Sequence, residues 1–211
     1  MTVTVGIAEN IKSLNDLQAK FNLRQTEYDE FFTEWFEDLP ELSDTEKVAL
    51  SSIRQRYVYH RNDGPLLEGT VNLVVVSPLL TVAGFLDPPF KIRSPESVEI
   101  SIDDPDEIIK GLIDVLVVQE QLWILVVESK RNTIPVTAAL PQILAYMMAA
   151  PFGNEPIFGL VTNGDEFLFV KLCREGTPQY DISDSFLLLP RRNKFQEVLR
   201  VLKRLGRLAT D

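Results

Sequence analysis

The sequence predicts an α/β fold of the α+β kind, with a mixed β-sheet core flanked by helices. Three observations predict it. Between Ser97 and Leu172 lie several short runs rich in Val, Ile, Leu and Phe, each bounded by turn residues, as buried strands are. A longer segment, 135–150, interrupts them with helix formers. Both ends of the chain carry helical rather than alternating periodicity. With 211 residues, 45% of them hydrophobic, the chain can fill one good core. The expected organisation is a single domain over residues 1–211. It comprises an N-terminal helical region at 1–60, the sheet core at 66–190 and a basic C-terminal helix at 191–211.

Each element has a local reason. Leu14 to Phe21 and Tyr28 to Phe36 read as short amphipathic helices ending before Pro40, the second carrying the aromatic cluster Phe31, Phe32, Trp35 and Phe36. Ser43 with Glu46 three residues on is a capping box, which starts a helix running to about His60. Asn62-Asp63-Gly64-Pro65 ends it. Leu66 to Phe85 is almost wholly apolar after Glu68 and long enough for a buried helix, with Pro78 as a kink. Pro88 to Ile92 reads as a loop, Ser97 to Ile102 as a strand and Asp103 to Asp106 as a turn. Ile108 to Val118 and Leu122 to Arg131 form a hairpin, and Pro135 to Ala150 is a helix with Pro141 as an irregularity. Ile157 to Val161 and Glu166 to Leu172 flank Asn163-Gly164, a strong hairpin turn signal. Tyr180 to Leu188 is a further strand and Phe195 to Leu208 the last helix.

Composition narrows the function classes. The net charge is −10 and the sequence pI about 4.7, which argues against a broad non-specific surface for nucleic acid. The basic residues are unevenly spread, however. Arg200, Lys203, Arg204 and Arg207 recur on one face of the last helix, and that face could touch DNA phosphates. Cys173 is the single cysteine, so neither an intramolecular disulfide nor a cysteine-based zinc site is available. No apolar run approaches the ~20 residues of a membrane span, and no secretory leader is visible, so the expected compartment is the cytoplasm, with no membrane partner.

The hairpin "GLIDVLVVQEQLWILVVESKR" sets Asp114, Glu128 and Lys130 inside otherwise apolar strands. Glu128 and Lys130 share a face because side chains alternate along a strand. A three-residue loop, Gln119-Glu120-Gln121, would pair Asp114 with Val126 and make it a diagonal neighbour of Glu128, at roughly 7–8 Å. Two carboxylates so placed can share a divalent cation. An even loop would turn Asp114 to the other face unless a bulge restored it. The competing reading is structural, with Glu128 and Lys130 pairing at the solvated end of a strand.

Asp114 followed fourteen residues later by Glu128-Ser129-Lys130 resembles the D…ExK motif of the PD-(D/E)XK nuclease superfamily. Ile113 stands where that family often has Pro. Gln142 and Tyr146, in "PQILAY", resemble the QxxxY helix of one branch, which includes the N-terminal nuclease domain of type I restriction enzyme R subunits. The resemblance spans about half the chain, from Glu68 to Leu172, and implies a restriction-endonuclease-like fold. It implies Mg²⁺-dependent hydrolysis of DNA phosphodiester bonds, in restriction, repair or defence, with Mn²⁺ as a substitute metal. Asp114, Glu128 and the backbone carbonyl of Ser129 would ligate the metal, with Glu68 as an outer ligand. Lys130 would act at the attacking water, Gln142 would orient Lys130 or the water, and Tyr146 would buttress Gln142 or meet a phosphate. The implied partners are DNA and either a second copy or a separate motor or specificity subunit.

Rival classes are weaker. No Walker-type G-x-x-x-x-G-K-[ST] occurs, nor a dinucleotide G-x-G-x-x-G, nor a G-x-S-x-G elbow. The lone His60 at a helix end has no nucleophile signature beside it. The chief alternative is a non-catalytic binding or scaffold protein that keeps the nuclease fold and assembles through its aromatic N-terminal segment.

Overall fold

The computed structural model describes residues 3–101, 107–151 and 155–210. The chain begins with strand β1 (Val3–Gly6), helix α1 (Ile7–Asn10), helix α2 (Leu14–Phe21) and a short strand β2 (Arg24–Gln25). The N-terminal region is therefore not wholly helical. The helix expected over Tyr28 to Phe36 is replaced by a 3₁₀ turn at Asp29–Phe31 and looser turns after it. Its backbone is drawn elsewhere: the Phe31 carbonyl accepts from Lys171 Nζ at 2.7 Å. Phe32 is buried, and Trp35 meets Phe186 edge-on.

Helix α3 (Asp44–Arg61) starts at the predicted capping box, with Ser43 N–H donating to Glu46 Oε2 at 2.7 Å and Glu46 N–H to Ser43 Oγ at 3.3 Å. The apolar segment that follows is helical but broken in a specific way. Helix α4 (Glu68–Val71) passes through a π-helical turn (Asn72–Val76) into helix α5 (Ser77–Ala83). Pro78 lies in the first turn of α5. It cannot donate to a carbonyl one turn back, and the widened turn before it accommodates that loss.

The strands then follow as β3 (Phe90–Arg93), β4 (Glu96–Ser101), β5 (Glu107–Ile113), β6 (Val115–Gln119) and β7 (Leu122–Ser129). Strand β3 stands where a loop was expected, and the turn expected at 103–106 lies outside the described residues. A 3₁₀ turn leads into α6 (Leu140–Met148), with Pro141 in its first turn, where the missing N–H breaks no hydrogen bond. Strands β8 (Ile157–Thr162) and β9 (Glu166–Cys173) form the second predicted hairpin, and Gly164 takes the positive φ (+87°) of its turn. The single strand expected over Tyr180 to Leu188 is two, β10 (Gln179–Ile182) and β11 (Phe186–Leu187), before the last helix α7 (Phe195–Leu208).

The large mixed sheet runs β2-β10-β9-β8-β7-β6-β3, with β11 added against β9. Within it β7 and β8 are parallel, so the chain must cross over between them, and α6 is that crossover. A smaller sheet, β1-β5-β4, stands beside it. Side chains alternate between two apolar layers. Val115, Val117, Leu125, Val127 and Leu160 pack with residues of α3, α5 and α7 on one face. Leu116, Val118, Val126 and Val161 pack with α1, α2 and α6 on the other. The result is a sheet covered by helices on both faces, as the pattern of runs predicts.

Lys203 of α7 completes the α3 cap by donating to Glu46 Oε1. That contact, with the backbone and Ser43 donors, holds the Glu46 carboxyl below its usual pKa. Its stabilising contribution is therefore present above the ordinary carboxylate range and is lost as pH falls through the lowered folded value. Glu46→Ala should destabilise the chain by roughly 1–2 kcal/mol near neutral pH, and urea titrations should show the difference shrinking in acid.

Candidate functional site

The site is created by an interruption. The strand expected to run from Ile108 to Val118 breaks at Asp114. The part before it, β5, belongs to the small sheet, and the part after it, β6, belongs to the large one. The carboxylate takes the place of a ladder partner, since Ser129 N–H donates to Asp114 Oδ2 at 2.7 Å. The Asp114 carbonyl accepts from Ser94 Oγ at 2.6 Å.

The hairpin loop is not the expected three-residue Gln119-Glu120-Gln121. Gln119 pairs with Leu122, leaving a two-residue turn in which Glu120 has φ +55°. That even loop alone would turn Asp114 away from Glu128. A β-bulge corrects it: Val118 pairs with Trp123 and Val117 with Leu125, so Ile124 is the extra residue. Val115 then faces Val127. One step further along the ladder, Asp114 stands beside Glu128 rather than diagonal to it and opposite Val126.

Glu128 is 3% exposed, on the face that α6 covers. Its Oε1 accepts from Lys130 Nζ at 2.7 Å, while its Oε2 is buried with no hydrogen-bond partner. Burial pushes its pKa up to about 7. The Lys130 ammonium opposes that rise, and the carboxylates of Asp114 and Glu68 reinforce it. Glu68, at the first position of α4, is thus close enough to the pair to be felt electrostatically.

Lys130 Nζ donates also to Gln142 Oε1 at 2.9 Å, Gln142 Nε2 donates to the Tyr146 hydroxyl at 2.7 Å, and that hydroxyl donates to the Leu112 carbonyl at 3.0 Å. Gln142 and Tyr146 lie one turn apart on α6, as their spacing predicts. Burial raises the Tyr146 pKa to about 12, keeping its proton available to donate. Glu128, Lys130, Gln142 and Tyr146 therefore form one continuous polar chain across an apolar layer, ending on the strand that leads into Asp114.

Ser129 points to the opposite face. Its hydroxyl donates to Asn72 Oδ1 at 2.5 Å, on the π-helical turn. Neither Asn72 nor Ser94 was picked out from sequence. The available signal for Asn72 was an amide inside the apolar run "TVNLVVV".

The basic face of α7 is spent differently. Arg200 donates to the carbonyls of Pro40 and Leu39, at 2.9 Å each. Lys203 pairs with Glu46, and Arg204 lies 3.7 Å from Asp38. Of the four residues expected to meet phosphates, Arg207 is the exposed one.

Among the described residues, no group of three or more His, Cys, Asp or Glu side chains is gathered closely enough to hold a metal ion unaided. The donors present nonetheless fit Mg²⁺, which needs only one or two carboxylates and keeps several waters. An unpartnered, buried carboxylate oxygen beside a second carboxylate is the local demand that such an ion would meet.

No family model and no curated protein matches the chain. Among solved structures, it is similar to a fragment described as an HsdR subunit of a type I restriction enzyme from Vibrio vulnificus YJ016. The identity is 20% and the TM-score 0.42, over 65% of this chain and 26% of that one. The match thus spans about a quarter of the neighbour's length. The fold described above rests on its own sheet order and helix placement. Among the described residues, no helix is long and apolar enough to cross a membrane.

An acid with a raised folded pKa takes up a proton on folding between the ordinary carboxylate range and about 7. Its contribution to stability falls as pH rises through that window. Without divalent cations, Glu128→Gln should raise thermal stability at about pH 8, on the order of 1–3 kcal/mol, and the gain should shrink towards about pH 5. A Glu128→Gln chain no more stable than its parent at the higher pH would contradict this account of the carboxyl.

Proposed function

We propose that this chain is a metal-dependent nuclease of the PD-(D/E)XK kind, hydrolysing DNA phosphodiester bonds. The observation that carries the reading is the buried Glu128 carboxylate. It stands beside Asp114, is paired through one oxygen to Lys130, and leaves its other oxygen without a partner. A purely structural ion pair would gain nothing from a second carboxylate nearby, and the pair would be held at a net electrostatic cost.

In this reading Asp114, Glu128 and the Ser129 carbonyl would hold Mg²⁺, with Glu68 as an outer ligand. Mg²⁺ bound there would polarise a phosphodiester oxygen and acidify a coordinated water. The chain's own residues do the rest. Asp114 is fixed by the Ser129 amide, so its carboxylate needs little reorganisation. Lys130 is held between Glu128 and Gln142; in this reading its ammonium would steady the negative charge that develops on the phosphate. Gln142 fixes that ammonium because Tyr146 fixes Gln142. Tyr146 holds its proton on the Leu112 carbonyl and does not compete for the water.

Three of the four basic residues of α7 are occupied within the chain, so that face leaves Arg207 as its exposed cation. We therefore propose that it acts beside a second copy or a motor or specificity subunit in a restriction-type system, in the cytoplasm.

Asp114→Ala and Lys130→Ala should each reduce Mg²⁺-dependent cleavage of plasmid DNA by at least about 100-fold. Gln142→Ala and Tyr146→Phe should cost about 10–100-fold, as positioning residues do. Calorimetry with Mg²⁺ or Mn²⁺, with and without a short duplex, should show binding that the Asp114→Ala/Glu128→Ala double variant lacks. Metal binding unchanged in the double variant, or cleavage unchanged in Lys130→Ala, would sink the proposal.

A further inference from the structure

Beside Asp114, on the face away from Lys130, lies a cavity of about 340 Å³. It opens between the helical segment 68–83 and the start of β6. Leu73, Leu80, Leu86 and Ile92 supply apolar walls, and Asn72, Ser77 and Ser94 supply the polar atoms. No charged side chain lines it. Two of its polar residues are bonded to Asp114 or to the residue after Glu128: Asn72 accepts from Ser129 Oγ, and Ser94 donates to the Asp114 carbonyl. Val115, the residue after Asp114, also lines it, so the cavity adjoins the segment that carries the acid.

From this we propose that the cavity receives one unstacked nucleobase of the nucleotide whose phosphate lies at Asp114 and Glu128. The inference rests on the nuclease reading and adds to it a substrate class, nucleic acid with an unpaired or everted base at the cut. Four features select that occupant. The volume is at the small end of ligand pockets, which run ~300–1,000 Å³; that suits one ring system and not a duplex. The lack of charge suits a neutral base and not a phosphate. Apolar walls with a few amide and hydroxyl groups match a base, which is apolar on its faces and polar along its edge. Ser94 and Val115 set the cavity against the Asp114 segment.

Two details of the chain fit the same use. Asn72 opens the π-helical turn, a distortion that recurs at functional sites. Leu73, the next residue, is 74% exposed at the cavity mouth. An exposed leucine there gives a base an apolar surface to stack against on leaving the helix.

Gly69 provides the test. It lines the cavity within α4, and a Cβ built on it meets nothing within 4 Å. Gly69→Leu therefore adds an apolar side chain at the mouth, at a position where a Cβ meets no neighbour. The measurement uses oligonucleotides carrying 2-aminopurine, whose fluorescence rises when it unstacks, as single strands and as duplexes with the probe paired or mismatched. The protein carries Asp114→Asn so that no strand is cut during the titration, and anisotropy of an end label reports binding separately.

The expected result is a several-fold rise in probe fluorescence on binding, larger for mismatched than for paired probes, and abolished by Gly69→Leu. A bound oligonucleotide with no rise at any probe position overturns the proposal, as does a rise that Gly69→Leu leaves intact. Absence of oligonucleotide binding overturns it too, and would leave the cavity as a surface for a partner protein's apolar side chain. Cleavage by the chain with native Asp114 is scored independently, so cutting without base eversion defeats this inference alone. Eversion without cutting defeats the nuclease reading alone.

Discussion

The hydrogen bond from the Ser129 amide to the Asp114 carboxylate organises the centre of this molecule. A strand cannot pass from one sheet to another without leaving backbone groups unpaired, and each such group, if buried, must find another partner. At the break after β5 the side chain of Asp114 does that work for β7, and Ser94 does it for the Asp114 carbonyl. The same substitution of side chain for ladder brings a carboxylate to the end of β6, beside Glu128. Backbone satisfaction and placement of the functional group are one event here.

Around that joint the energetics are opposed. The large sheet is buried on both faces by helices, so every polar atom inside it must be paired or bear a cost. The chain Lys130–Gln142–Tyr146–Leu112 is fully hydrogen-bonded along its length. Glu128, at the head of that chain, has one oxygen served and one left bare. A sheet optimised for stability alone would have an apolar residue there. Holding an acid in that position keeps an unfavourable interaction in the sheet, one that the cation of the proposed nuclease reading would relieve.

Much of this was legible in the residues. Short apolar runs bounded by turn residues located most of the strands, Asn163-Gly164 located a turn, and the spacing of Gln142 and Tyr146 set them on one helix face. Asp114, Glu128 and Lys130 stood out because acids and a lysine sat in strands rich in Val and Leu. What escaped the sequence was non-local. Nothing in Ile108 to Val118 says that its halves pair with different sheets, since the choice is made by β1, β4 and β7. The loop of the hairpin was misjudged by one residue because a bulge at Ile124 and a shorter turn at Glu120 offset each other. The α7 basic face looked available because the segment from Asp38 to Glu46 that occupies it is more than 150 residues distant in the chain. Asn72 and Ser94 matter only through residues they meet in space.

The break at Asp114 also bears on how the molecule assembles. Asp114 and Ser129 are 15 residues apart, and Lys130 and Gln142 are 12 apart. Closing such loops costs little conformational entropy, and each doubling of loop length adds only about 0.6 kcal/mol. The contact from Asn72 to Ser129 spans 57 residues, nearly two further doublings. The acids, the lysine and the glutamine thus belong to one short ββα stretch of the chain that local contacts can bring together. The cavity wall must wait for a distant helix to dock. The polar chain from Asp114 to Tyr146 is thus encoded in one contiguous segment, while Asn72, Ser94 and Glu68 around it are contributed from earlier in the chain.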